Sequence, residues 1–282
     1  MTEILGWLAP YQWQPLVTLS CAIAALAYLR GLRRLAPAAR PGGARILAFL
    51  AGLGLMYAVS QTALDYFAQY MFFVHRLQHL VLHHLGPFLV ALAAPLPVLA
   101  AGLPGPVRRG WRHPLVQGGY RAIQQPLVAG LLFVGLIYFW LVPEIHFIAM
   151  LSRGLYEVMN WSMALDGLLF WWLILNPAPP GRSQSIGYGL RIAVLVGIAV
   201  PQILLGAYIT LGGPGLYDVY DVCGRAWPLD PATDQTIGGV VTWIPAAMMS
   251  LLGVLVVMSY AFRDERHRQG PSPAVPGAGP AG

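Results

Sequence analysis

Runs of apolar residues that are long enough to cross a lipid bilayer constrain this chain more than any other feature of its sequence. Seven such runs lie at about 15–29, 46–67, 70–95, 126–142, 156–175, 189–211 and 236–262. A helix needs roughly 20 apolar residues to span the hydrocarbon core. Helices satisfy their own backbone polar groups inside lipid, whereas open strands do not. The sequence therefore predicts an all-α polytopic membrane protein, with a seven-helix transmembrane domain over residues 1–263.

The composition excludes several other classes of protein. The chain is 57% hydrophobic and 10% charged, which leaves too few polar residues to coat a soluble body of this size. All 17 basic residues are arginine, so lysine Schiff-base chemistry is excluded. The arginines are scattered between the apolar runs, which favours membrane topology over nucleic-acid binding. Cys21 and Cys223 form no Cys-x-x-Cys motif, which argues against a thiol oxidoreductase.

The positions of the arginines predict the orientation in the membrane. One side of the predicted bundle carries Arg30, Arg33, Arg34, Arg40, Arg45, Arg108, Arg109, Arg112, Arg121, Arg182, Arg191, Arg263, Arg266 and Arg268. The other side carries Arg153 and Arg225. Because cytoplasmic loops are enriched in arginine, we expect the N-terminus outside and the C-terminus in the cytoplasm. Residues 264–282 are predicted to form a disordered cytoplasmic tail.

Four histidines lie within ten residues of the third apolar run. His75, His79 and His83 follow each other at four-residue steps, so they form one stripe on a helix, and His84 lies about 100° away. Polar groups inside a span are costly unless they have partners. The histidines either hydrogen-bond across the bundle or hold a metal ion or haem. We favour a metal or haem, with His79 as the first candidate and His75 as the second.

Further candidate ligands lie at the same predicted depth on other spans. They are Asp65, His146, Glu157, Asn160 and Asp234. Methionines also cluster towards this side, and thioethers with imidazoles suit Cu(I), whereas carboxylates favour harder ions. Asp166 lies near the middle of the fifth span, where a carboxylate must be paired, hydrated or protonated. It is either a structural hydrogen-bonding group or part of a proton path.

At these residues the chain resembles the cytochrome c oxidase assembly factors of the CtaG type. The resemblance lies in three patches, and it extends from about residue 45 to 260 in the same order and with seven spans. The patches are His75-Arg-Leu-Gln-His79 followed by Gly86-Pro87 and Ala94-Pro95, then Leu168-Leu-Phe-Trp-Trp, and finally Asp234-Gln235 with Gly238-Gly239 and Trp243.

The resemblance implies a multi-pass protein of the bacterial inner membrane that matures a haem-copper oxidase and is not an enzyme. It implies copper delivery to the catalytic subunit, in which a periplasmic copper chaperone could take part. His75, His79 and Asp234 match family motif positions, which implies a copper-handling role for them. With His83 and His146 as further candidates, the expected metal ligands are His75, His79, His83, Asp234 and His146, and the expected ion is Cu(I).

Two other functions remain open at the level of sequence. The first is a haem-binding electron carrier with histidines from two spans as axial ligands. The histidines lie mostly on one helix, which counts against it. The second is a transporter of metal ions or protons, with Asp166 and the histidines as a relay. The cytoplasmic halves of the third and fifth spans become apolar, which argues against a continuous polar path.

Overall fold

The computed structural model describes residues 12–181, 185–213 and 215–269, and within them the chain is helical, with no β-strand. The α-helices of these segments are α1 Pro15–Arg34, α2 Gly43–Gln61, α3 Ala63–Tyr70, α4 Phe72–His79, α5 Gly86–Leu92, α6 Leu96–Gly102, α7 Gly105–Trp111, α8 Pro114–Ile123, α9 Pro126–Trp140, α10 Pro143–Leu151, α11 Arg153–Leu175, α12 Tyr188–Leu211, α13 Val219–Val222 and α14 Pro231–Arg268. A 3₁₀ turn, Pro37–Ala39, follows α1.

Among the described residues, five helices are long and apolar enough to cross a membrane, namely α1, α2, α11, α12 and α14. Two bent helix pairs reach the same length together. The segment Phe72–Leu92 meets α6 at 79°, and α8 meets α9 at 69°. Each predicted apolar run overlaps one of these helices or pairs, but the second run extends past the end of α2 into α3. The all-helical prediction is confirmed, with five to seven candidate spans, and the count of seven stays a prediction.

A π-helical turn, Leu80–Leu85, joins α4 to α5 in the helix that carries the four histidines. It is closed by a hydrogen bond from the Gly86 N–H to the Val81 carbonyl. Pro87 has no N–H and could not donate to the His83 carbonyl as an α-helix requires. The wider turn accommodates this missing bond. Such turns are rare and often lie at functional sites.

The helix bundle has a polar cluster at each end. At one end, which we call the site end, the beginnings of α4, α11 and α14 meet the loops that follow α3, α9 and α12. At the other end, Arg191 near the start of α12 is fully buried. It donates hydrogen bonds to the Ser185 hydroxyl and to the carbonyls of Ile174, Asn176, Ala178 and Ile186. We call this group the Arg191 cluster, and it ties the loop after α11 to α12.

The last helix is longer than the sequence indicates. The disordered tail is predicted to begin at residue 264, but α14 continues through Arg268. Side-chain contacts one turn apart extend it, from Arg268 to Asp264 at 3.0 Å and from Gln269 to Glu265 at 3.2 Å. Such pairs support exposed helical turns. The remainder of the predicted tail, residues 270–282, lies outside the described residues.

An apolar cleft of about 410 Å³ lies between α1, α2 and α11. Its walls include Phe49, Leu53 and Leu168. Asn160 also borders the cleft, and it is hydrogen-bonded to His79. The cleft therefore comes within one side chain of the histidines at the site end.

Candidate functional site

Three histidines from two elements meet at the site end, and we call them the histidine cluster. They are His75 and His79 on α4 and His146 on α10, and each is at most 1% exposed. The ring centroids of His75 and His79 are 4.3 Å apart, and those of His75 and His146 are 5.1 Å apart at a nearly perpendicular angle. The four-residue spacing on α4 thus places two rings together, and α10 adds the third.

The hydrogen bonds of His79 define its protonation pattern. Its Nδ1 lies 3.3 Å from an Arg76 Nη1, which can only donate, so Nδ1 accepts. Its Nε2 lies 3.1 Å from the Asn160 Oδ1, so Nε2 donates. His79 therefore keeps one N–H fixed by an oxygen, and the lone pair on its other nitrogen is occupied by a guanidinium.

His146 repeats this pattern on α10. Its Nδ1 donates to the Trp140 carbonyl at 3.0 Å, and its Nε2 accepts from the Tyr220 hydroxyl at 2.9 Å. Burial lowers the pKa of His146 to about 3, and the bond to Trp140 opposes this shift. The imidazole is therefore neutral at pH 7. A histidine whose second N–H is held by an oxygen resembles a typical metal ligand, because that bond orients the ring.

His75 differs from its two neighbours. Within the described part of the chain, neither of its ring nitrogens has a hydrogen-bond partner. The backbone of Ala68 lies near the ring, but this contact does not have the geometry of a hydrogen bond. A buried polar side chain without a partner is unusual in a native protein and calls for an explanation, such as an ion or water. His75 is therefore the side chain of the cluster that is free to bind a ligand.

Asp65, one of the predicted additional ligands, supports the helix of the histidines. Its carboxylate accepts hydrogen bonds from Gln78 at 2.8 Å, Tyr156 at 2.9 Å and Gln69 at 3.1 Å. Burial raises the pKa of Asp65 to about 6, although these bonds oppose the shift. Gln78 precedes His79, so Asp65 holds the cluster in place through Gln78.

Asp234 lies on α14, but it caps α4. Its two carboxylate oxygens accept from the backbone N–H groups of Phe72 at 3.0 Å and Phe73 at 2.8 Å. It also forms an ion pair with Arg225. Helix starts leave N–H groups unpaired, and a carboxylate there satisfies them. The cap of α14 itself is Asp230. Asp234 therefore fixes the beginning of the histidine helix, and its oxygens are already engaged.

His83 is not part of the histidine cluster, although the sequence places it on the stripe of His75 and His79. It lies in the π-helical turn, where its Nε2 is 3.0 Å from an Asp166 carboxylate oxygen. Its ring stacks on the Phe133 ring, with 3.9 Å between the ring centroids. α11 approaches this turn closely at Gly167, where a Cβ would lie 2.5 Å from the His83 carbonyl oxygen. The π-helical turn thus directs His83 to Asp166.

Several residues of the site have roles that the sequence does not predict. Arg76 is 5% exposed and bonds both His79 and the Thr242 hydroxyl. Tyr156 and Tyr220 orient Asp65 and His146. An arginine between two histidines inside an apolar run is itself a signal of function. The neighbours of the two tyrosines in the sequence do not distinguish them from other tyrosines, so the sequence gives no such signal for them.

No group of three or more His, Cys, Asp or Glu among the described residues is arranged to hold a metal ion as it stands. The physical reason lies in the hydrogen bonds. The lone pairs of His79 and His146 already accept from Arg76 and Tyr220. Metal binding at the histidine cluster would replace these two bonds, whereas His75 has none to give up.

Comparison with known proteins identifies the family. The family model described as cytochrome c oxidase caa3 assembly factor (Caa3_CtaG) matches residues 26–264, which is most of the chain. The chain belongs to this family of assembly factors. The resemblance seen in the sequence is thereby confirmed.

Relatives of this chain occur among mycobacterial proteins. It is 24% identical to an uncharacterised protein of Mycobacterium leprae, over 94% of this chain and 42% of the relative. It is 25% identical to an uncharacterised protein of Mycobacterium bovis, over 79% of this chain and 34% of the relative. The chain thus spans about a third to two fifths of the length of these relatives. No solved structure matches it.

The sequence patches that carry the resemblance adjoin one another in the structure. Asp234 caps the histidine helix, and Gly238 makes room for the Phe72 ring, which a Cβ there would meet at 2.3 Å. Trp171, in the patch on α11, lies edge-on to the rings of His84 and Phe88. The shared residues therefore pack α14 and α11 against the helix of the histidines.

Proposed function

We propose that this assembly factor binds copper at the histidine cluster and delivers it to the catalytic subunit of a haem-copper cytochrome c oxidase. Membership of the family supports the role in oxidase assembly. The observation that supports copper is His75, a buried imidazole whose two ring nitrogens have no hydrogen-bond partner in the described structure. It lies against two further neutral imidazoles.

The residues at the cluster fit Cu(I) as a cargo. Imidazole is a common ligand for copper, and the cluster supplies three imidazoles. His75 would bind first, and His79 and His146 would follow by exchanging their bonds from Arg76 and Tyr220 for the ion. The N–H groups held by Asn160 and the Trp140 carbonyl would keep both rings oriented.

His83 and Asp234, the other two predicted ligands, support the site indirectly in this proposal. His83 is engaged by Asp166, and Asp234 by the start of α4 and by Arg225. The ion enters and leaves unchanged, so the proposed role is delivery of a cargo and not catalysis. The cost of displacing Arg76 and Tyr220 keeps binding reversible, which transfer to a partner requires.

The orientation supported by the arginines places the N-terminus outside and the C-terminus in the cytoplasm of a bacterial inner membrane. The site end then lies at the periplasmic face, where a copper chaperone could load it and the oxidase subunit could receive the ion. A reporter fused after Arg268 should be active only if it is one that functions in the cytoplasm. Activity of a periplasmic reporter at this position would overturn the orientation.

A haem carrier is less compatible with the site than a copper carrier. The rings of the histidine cluster are packed directly on each other. The cavity that borders His79 has a volume of about 10 Å³, which is far too small for the haem macrocycle. A visible spectrum of the purified protein without a Soret band is therefore expected.

Copper content of the oxidase in cells tests the proposed function. In a strain that lacks the chromosomal gene, wild-type protein should restore oxidase activity and copper in the catalytic subunit. The double variant His75→Ala/His79→Ala should be inserted at normal abundance and restore neither. His113→Ala, which removes an exposed histidine, is the matched control and should behave as wild type. Full copper loading by the double variant would refute delivery through the cluster.

A further inference from the structure

A small polar cavity lies next to the histidine cluster and is bordered by α4, the π-helical turn, α9, α11 and α14. Its walls include Arg76, His79, His84, Thr242 and Ala246. The cavity has a volume of about 10 Å³. A cavity needs about this volume to hold one water molecule. The cavity therefore admits one small particle at most.

Arg76 is the only arginine in the wall of this cavity, and its charge has no partner. The side chain is 5% exposed, and arginine keeps its charge in proteins. Its bonds are from Nε to the Thr242 hydroxyl at 2.9 Å and from Nη1 to His79 Nδ1 at 3.3 Å. Both acceptors are neutral. Among the described residues, no carboxylate lies within 4 Å of the guanidinium.

The buried carboxylates of this region are engaged elsewhere. Asp65 accepts from Gln78, Gln69 and Tyr156, Asp166 pairs with His83, and Asp234 pairs with Arg225. An isolated buried charge is very costly unless an opposite charge or a shift of protonation offsets it. Arginine does not lose its proton, and the part of the chain that the structure describes supplies no opposite charge beside it.

We propose that this cavity binds a small monovalent anion such as chloride, which acts as the counter-ion of Arg76. The guanidinium supplies the charge and N–H donors. His84 lies in the same wall, and its Nδ1 has no partner in the described structure, so it can supply a further N–H. A water molecule would fit but would leave the charge unpaired. The charged group in the wall is the Arg76 guanidinium, so an anion is the favoured occupant.

Chloride binding to the purified full chain tests this proposal. Copper-free protein in detergent is titrated with radioactive chloride in a buffer whose other anions are too large for the cavity. We expect one saturable site per chain, with bromide competing and sulfate not competing. The proposal does not depend on copper binding, because the protein carries no copper in this measurement. Folded wild-type protein without saturable chloride binding would show that the cavity holds water only and would overturn the proposal.

Two variants separate the proposed site from general effects of charge. Arg76→Gln keeps N–H donors but removes the charge, and should weaken chloride binding at least tenfold. Arg263→Gln removes the same charge from an exposed position and should bind as wild type. Equal binding by folded Arg76→Gln and wild-type protein would refute the assignment.

A third variant guards against misfolding of Arg76→Gln. Ala246→Leu leaves Arg76 in place and fills the cavity with a larger side chain, so chloride binding should again fall at least tenfold. Thermal unfolding in detergent confirms that each variant is folded, and chloride should raise the midpoint of wild type but not of Ala246→Leu. Unchanged chloride binding by folded Ala246→Leu would place the ion outside this cavity.

Discussion

Arg191 and Arg76 are both buried arginines, but their surroundings are opposite. Every partner of Arg191 in its cluster is an oxygen, and four of them are backbone carbonyls that draw the loop after α11 onto α12. Arg76 has one hydroxyl and one imidazole, beside a cavity and histidine nitrogens without partners. Buried polar groups whose hydrogen bonds are all satisfied stabilise the fold. Buried polar groups without hydrogen-bond partners indicate a place where a ligand is expected.

The same contrast divides the histidine cluster. His79 and His146 have both ring nitrogens bonded, and His75 has neither. A side chain without hydrogen bonds contributes little polar stabilisation to the fold. We therefore expect substitution of the hydrogen-bonded groups to lower stability, and substitution of the groups without hydrogen-bond partners to weaken ligand binding.

The largest effect on stability is expected at the Arg191 cluster. Arg191→Gln leaves several buried carbonyls without donors, and each costs about 1–3 kcal/mol when unsatisfied. The free energy of unfolding should fall by about 3 kcal/mol or more, measured by denaturation in detergent. Arg76→Gln in halide-free buffer should change it by less than about 1 kcal/mol, because this variant also removes an unpaired buried charge. Equal losses in the two variants would break the comparison.

Asp65 predicts a pH dependence of stability. Its pKa is raised to about 6 in the folded protein, from 3.8 in the unfolded chain, mainly by burial. A folded state that holds its proton more tightly is favoured at low pH, so the contribution of Asp65 is full below about pH 4 and is lost as the pH rises to about 6. As the pH rises from 4 to 6, wild type should therefore lose about 2 kcal/mol of unfolding free energy relative to Asp65→Asn. The difference between their thermal midpoints should change accordingly.

The comparison of the two unfolding curves isolates Asp65 from other groups. His146 has a lowered pKa and acts in the opposite direction, so it destabilises both proteins equally as the pH falls from 6.5 towards 3. Curves for wild type and Asp65→Asn that stay parallel between pH 4 and 6 would contradict the raised pKa.

A smaller effect on stability is expected at the caps of α4 and α14. Asp234→Asn leaves one oxygen for two backbone N–H groups and removes the charge beside Arg225, so it should cost about 1–2 kcal/mol. Asp230→Asn keeps an ordinary cap of α14 and should cost only a few tenths of a kcal/mol. Thermal unfolding of the two variants provides the measurement. The expectation fails if Asp230→Asn is the more damaging change.

Asp234→Asn should also weaken copper retention, because the start of α4 orients His75 three residues later. If copper retention and oxidase activity in cells are both unchanged while stability falls, Asp234 is a cap alone.

Much of the fold could be predicted from hydropathy, because a span must be continuous and apolar. The helix boundaries α9 Pro126–Trp140 and α12 Tyr188–Leu211 lie close to the predicted runs. The π-helical turn could not be predicted, since it depends on how Pro87 and the approach of α11 are accommodated together. The extension of α14 to Arg268 is supported by the ion pair between Arg268 and Asp264, which hydropathy does not register.

The candidate site could be predicted only in part. The spacing of His75 and His79 places their rings together on any helix. The meeting with His146 depends on how α10 folds back, and the separation of His83 depends on the π-helical turn. Asp234 was expected as a ligand because of its position in a motif, but the direction of its side chain towards the N–H groups of Phe72 and Phe73 is a tertiary property.

Binding of Cu(I) to His75→Gln tests the central claim most directly. The purified protein competes for Cu(I) with a chromophoric chelator, and wild type should bind one ion per chain. His75→Gln removes the unpartnered imidazole, should cost less than about 1 kcal/mol of stability, and should weaken binding by about 10–100-fold or more. His113→Gln serves as the matched control with wild-type affinity. Equal Cu(I) affinity of wild type and folded His75→Gln would contradict copper binding at the histidine cluster.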